Sequence, residues 1–107
     1  MHDQCWRGVQ LRDLIALQVV AEEGSFVAAA RRLAYTQPAV SGQIRALERC
    51  VGVRVLERVR GSRSVAPTEA GRILIGHAAA ITGRLAAACA EIESLRDGPA
   101  LRIGSFR

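Results

Sequence analysis

Lysine does not occur in the 107-residue sequence, and all fifteen basic residues are arginine. Arginine suits bidentate recognition of phosphate and guanine, although a G+C-rich coding bias explains the same absence more simply. Aromatic residues are scarce, with one Trp, one Tyr and two Phe, so the large anchors that dominate protein-binding hot spots are lacking. Cysteine is limited to Cys5, Cys50 and Cys89, far apart, with no Cys-x-x-Cys pair and no histidine at ligand spacing. Reduced thiols of a cytosolic protein are expected rather than a disulfide framework or a metal centre. Cys50 reads as buried filler, with a redox sensor as the less simple alternative. No nucleophile with a base, carboxylate pair or metal set is visible, so neither an enzyme nor a cofactor is expected. No stretch reaches about eighteen continuous apolar residues and the first ten hold no signal-like run, which predicts a soluble, cytoplasmic protein with no membrane partner.

What is present is concentrated in one region. Residues 1–30 carry a net charge of −2, residues 31–63 a net of +6 and residues 64–107 a net of +1. Such placement is expected of an electrostatic footprint on phosphate. Within it, Gly24 to Glu48 reads as two short helices joined by a tight turn. Ser25 caps the first, whose apolar or small face is Phe26, Ala29, Ala30 and Leu33, with Arg31 and Arg32 opposite. Thr36 caps the second, and Pro38 falls in its first turn, where a missing N–H is no loss. Val40, Ile44 and Leu47 recur at i, i+4 and i+7 and form its buried face. Gln37, Ser41 and Arg45 share another face, polar and free of carboxylates until Glu48, as a helix lying in a major groove requires.

A helix of about twelve residues from Leu11, closed by Glu22, Glu23 and Gly24, is predicted to pack behind this pair. After Gly52, the alternate Val53, Val55 and Val59 favour a short strand. A polar turn from Arg60 to Ser64 leads to Val65 and Ala66, giving a two-stranded wing. Arg60 and Arg63 at its tip have the chemistry to enter a minor groove; the alternative is a solvated hairpin whose charges suppress edge pairing. From Thr68 a long helix is expected. Leu74, Ala78, Ile81, Leu85, Ala88, Ile92 and Leu95 form a heptad seam about 30 Å long at 1.5 Å per residue. A small head cannot cover so long a stripe, so dimerisation through this seam is expected. Gly83 should weaken the helix by about 1 kcal/mol. Asp97, Gly98 and Pro99 break it, and Leu101 to Ser105 reads as a strand. The expected fold class is mainly α: a winged helix-turn-helix of three helices plus a two-stranded wing, followed by a long dimerisation linker helix. The expected division is a tail at 1–10, the winged head at 11–67, the linker helix at 68–96, and a hinge with a first strand at 97–107.

These residues resemble the LysR-type transcriptional regulators from about Leu11 to Ser105. The resemblance is carried by AEEGSF (21–26), AARRL (29–33), TQPAVSGQIRALE (36–48), GVRVLER (52–58), PTEAG (67–71) and LRIG (101–104). It implies sequence-specific binding of double-stranded DNA at an inverted repeat by a homodimer, with tetramers among full-length relatives. It also implies a small-molecule effector bound only through a C-terminal domain beyond this chain. By position, Gln37 and Pro38 match residues facing base edges, Thr36 and Ser41 match phosphate contacts, and Arg31 or Arg32 matches another. Arg45 is the nearest guanidinium on the exposed face, and Arg60 or Arg63 resembles the wing's minor-groove contact. Gly42 departs from the pattern, since many relatives place a long polar side chain there to read a base; either the backbone sits closer to DNA or Gln43 rotates in. The rival class is a coiled-coil protein-interaction module with a basic head.

Overall fold

The computed structural model describes residues 6–97. Helix α1 (Leu11–Glu23) is the hub. Its stripe of Leu14, Ala16, Leu17, Val19 and Val20 is buried, and it packs on every other helix. It ends where Gly24, at φ +69°, donates its N–H to the Val20 carbonyl at 2.7 Å, a left-handed cap that favours glycine.

Helix α2 (Phe26–Leu33) starts as its sequence indicates, with Ser25 Oγ accepting from the Ala28 N–H at 3.1 Å. It closes without glycine: Ala34 caps it at φ +59°, the one non-glycine residue at positive φ among those described. Helix α3 (Gln37–Val51) begins at Thr36, whose Oγ1 accepts from the Ala39 N–H at 3.2 Å, and ends at Gly52, φ +83°. Val40, Ile44 and Leu47 are its buried residues, as the 3.6-residue period requires.

The wing is shorter than the valine alternation implied. Strands β1 (Leu56–Arg58) and β2 (Val65–Pro67) pair antiparallel, with Glu57 opposite Ala66. Val55 is fully buried just before β1, whereas Val53 and Val59 are 51% and 41% exposed. The regular alternation is therefore lost on both sides of a three-residue strand. The Val65 N–H donates to the Gly24 carbonyl at 3.0 Å, tying β2 to the α1–α2 corner.

Helix α4 (Glu69–Asp97) runs for 29 residues, about 43 Å at 1.5 Å per residue. Its apolar seam divides. Ala78 is fully buried in the head's own core and Leu74 is half-buried against it, so Ala78 cannot serve a partner, which corrects that part of the expected interface. Beyond it, Ile81, Leu85, Ala88, Ile92 and Leu95 are exposed. Although no continuous apolar run occurs, α4 has a window of mean hydropathy 1.5 and is long and apolar enough to cross a membrane by length and composition. Arg84, at mid-helix, opposes that use by about 2.5–3.5 kcal/mol. At the other end, residues 6–10 form a turn in which the Val9 N–H bonds to the Trp6 carbonyl, and Val9 packs on the core. Most of the expected tail, the Leu101–Ser105 strand and the hinge beyond Asp97 lie outside the described residues.

Candidate nucleic-acid interface

The exposed face of α3 is built by its own N-terminus. Because Thr36 fixes the first turn, Gln37 and Pro38 stand exposed at the entrance, and Ser41 and Arg45 follow one and two turns later. Burial of Val40, Ile44 and Leu47 on the adjoining side locks that orientation. Gly42 is exposed, and a Cβ added there would meet nothing within 4 Å.

Between this face and the wing lies an open groove of about 690 Å³. Gln37, Ser41 and Arg45 line one side, Arg58 and Arg63 of the wing the other, with Arg54 and Glu48 between them and Phe26 and Val27 among the apolar lining. Four guanidiniums around one cleft create a positive field, which a polyanion would satisfy. Two carboxylates share the lining, Glu48 and Glu57. Glu48 is engaged: its Oε2 accepts from the Val55 N–H at 2.8 Å.

Three expected contacts are placed differently. Arg32 is not a free cation, because its Nη1 lies 2.7 Å from Glu22 Oε1 and 3.1 Å from Glu23 Oε2. Hydrogen bonds to Glu22 and then Glu23 hold its pKa above the ordinary arginine value. Its neighbour Arg31 is exposed and appears in no ion pair among the described residues, so of the two it is the one open to phosphate. Gln43 is half-buried, with Oε1 buried and unpaired; that oxygen is not presented to the groove. Arg60 is exposed at the wing turn and lies outside the groove lining, whereas Arg63 is within it.

Arg54 and Arg58 were not anticipated. The signal was the two-residue period: once the strand is set at 56–58, Arg58 shares a face with Leu56, and both line the groove. Arg54 also donates from Nη2 to the Leu56 carbonyl at 3.2 Å, which fixes its position beside β1.

Residues 11–72 match the model of the family described as "Bacterial regulatory helix-turn-helix protein, lysR family". The chain is 41% identical over 91 residues to the HTH-type transcriptional regulator CfxR of Cupriavidus necator, an alignment covering 85% of this chain and 28% of that relative. It is 40% identical over 90 residues to the HTH-type transcriptional regulator PgrR of Escherichia coli, covering 84% and 29%. The chain thus spans less than a third of these relatives. Among solved structures, it is similar to the BenM DNA-binding domain in complex with catB site 1 DNA, with a TM-score of 0.76 and 34% identity over 83% of this chain and 97% of that one. A second similar structure is the CbnR DNA-binding domain–DNA complex, with a TM-score of 0.73 and 32% identity, covering 80% and 97%.

Proposed function

Because this chain belongs to the lysR family of bacterial regulatory helix-turn-helix proteins, we propose that it is a sequence-specific DNA-binding transcription regulator. Helix α3 enters the major groove with Gln37, Pro38, Ser41 and Arg45 toward the bases and adjacent phosphates, and the wing brings Arg63 to the minor groove. The observation that carries this reading is the cleft in which the polar face of α3 and four arginines converge. Arg31 and Thr36 add backbone contacts at the helix-turn-helix corner. Contacts to phosphate supply affinity, while base edges and groove shape supply discrimination.

Two copies pair through Ile81, Leu85, Ala88, Ile92 and Leu95, with Leu74 at the margin. The exposed stripe supports this, since water-exposed apolar residues at heptad spacing gain by mutual burial. A two-fold dimer reads an inverted repeat, its half-sites spaced by the distance between two α3 helices. Function at the chromosome places the protein in the cytoplasm. Effector sensing and any tetramer are assigned to a C-terminal domain outside these 107 residues.

Selection from a random duplex pool, followed by binding of the enriched duplex and a scrambled one across salt concentrations, tests the reading. Specific DNA-binding proteins prefer their sites by roughly 10³-fold or more, and both affinities should fall steeply with salt. Equal affinity for enriched and scrambled duplexes would overturn it and favour a module that merely docks on acidic partners.

A further inference from the structure

Glu48 is the sole carboxylate on α3, and with Glu57 of the wing it is one of two carboxylates in a groove lined by four arginines. Left free, it would repel the phosphates that the groove attracts. Its contacts give it a different task. Oε2 accepts from the Val55 N–H at 2.8 Å, and Val55 is fully buried. The Val55 carbonyl accepts from the Thr68 N–H at 3.0 Å. The Thr68 hydroxyl donates to the Arg54 carbonyl at 2.7 Å and accepts from the Gly71 N–H at 3.0 Å. These bonds connect the recognition helix, the entry to β1 and the first turn of α4. A carboxylate acceptor makes the first of them charge-assisted, and hence among the stronger ones.

We propose that Glu48 is a positioning residue that locks the wing and the start of α4 to the recognition helix. Through Val55 it fixes how far Arg58 and Arg63 reach beside α3. Through Thr68 it fixes the angle at which α4 leaves the head, and so the spacing at which a second head meets DNA. The inference rests on the DNA-binding reading above and adds a determinant of half-site spacing to it.

The test uses the full chain, first enriching a duplex with the wild type and then measuring binding to versions with one base pair inserted between half-sites or with exchanged flanks. Wild type should lose about tenfold or more on insertion, since register is geometric, whereas Glu48→Ala should lose less than about threefold and show weaker flank preference while keeping the same half-site bases. Glu48→Gln, which retains an acceptor for Val55, should restore the wild-type spacing preference. Exchange of the Val55 amide should accelerate in Glu48→Ala and not in Glu48→Gln. If Glu48→Ala does not fold, Thr68→Val breaks the other end of the network and carries the same expectation. Unchanged spacing and flank preferences in the folded alanine or valine variant overturn the role of Glu48. A wild-type chain that enriches no sequence overturns the DNA-binding reading itself, a separable outcome.

Discussion

Gly71 lies in the first turn of α4, where helix propensity alone favours replacement by alanine by about 1 kcal/mol. The structure predicts the opposite. A Cβ on Gly71 would overlap the Val55 carbonyl oxygen, 3.0 Å from the carbon of the same group and 3.2 Å from Pro67 Cβ. The obstacle is backbone, held by the Thr68 N–H at 3.0 Å and by burial of Val55, so no flexible side chain can move aside. Relief requires α4 to slide away from the wing. Overpacking of this kind costs about 1–3 kcal/mol, and loss of the Thr68–Val55 hydrogen bond adds about 0.5–1.5 kcal/mol. After the propensity gain, Gly71→Ala should be destabilising by roughly 0.5–3.5 kcal/mol, or about 4–8 °C in Tm per kcal/mol for a domain of this size. Gly76 is the control, because it lies in the same helix with nothing within 4 Å of an added Cβ. Gly76→Ala should stabilise by about 0.5–1 kcal/mol. Thermal and urea melts followed by circular dichroism, at one protein concentration because association shifts Tm, provide the comparison. A Gly71→Ala protein as stable as wild type, or moving in parallel with Gly76→Ala, would refute the close-approach reasoning.

Burial pushes the Asp13 carboxyl above its usual value, against smaller lowering effects from the Arg12 charge and a backbone hydrogen bond from Gln10. The protonated form is thus favoured more in the folded than in the unfolded chain; Asp13 is least costly below its unfolded pKa near 3.9 and costs stability as pH rises through its folded value. Asp13→Asn should therefore gain stability relative to wild type between pH 3 and pH 7 in urea melts, and a gap that stays constant or shrinks would contradict this. Ala34 sits at φ +59°, so Ala34→Gly should raise stability by up to about 1 kcal/mol; a lower Tm would show the turn to be unstrained. Arg31→Ala should weaken binding to all duplexes and lower the salt slope by about 1, whereas Arg32→Ala, in which the lost cation was already paired with Glu22 and Glu23, should leave that slope nearly unchanged; equal slopes for the two variants would sink the distinction. Gly42→Arg has open space for its side chain and should move the selected half-site toward a guanine with about 1–3 kcal/mol of discrimination, an outcome that identical selected logos would exclude.

Elements whose determinants are local were legible in the sequence. The caps at Ser25 and Thr36, the stop at Gly52 and the buried Val40, Ile44 and Leu47 each depend on neighbours within a turn or two, and the exposed face of α3 follows from them. Ala34 escaped notice because its left-handed backbone is imposed by the α2–α3 junction, not by its own preference. The wing was harder: three-residue strands give a period of two almost no length in which to declare itself, so Val53 and Val59 were misplaced and Arg58 overlooked.

Misassigned side chains share a different cause, which is competition over distance. Arg32 and Arg31 are indistinguishable by sequence pattern, yet the end of α1 supplies two carboxylates to one and none to the other. The seam of α4 is the same problem on a larger scale. A heptad repeat states that one face is apolar, and it is silent about which protein covers each turn. Here Ala78 is buried in the chain's own core, while the exposed stripe begins at Ile81. The turns shared with the head orient α4, and the turns beyond it are free to associate. A dimer built on that division would pass the geometry of the Glu48–Val55–Thr68 joint directly into the separation of its two recognition helices.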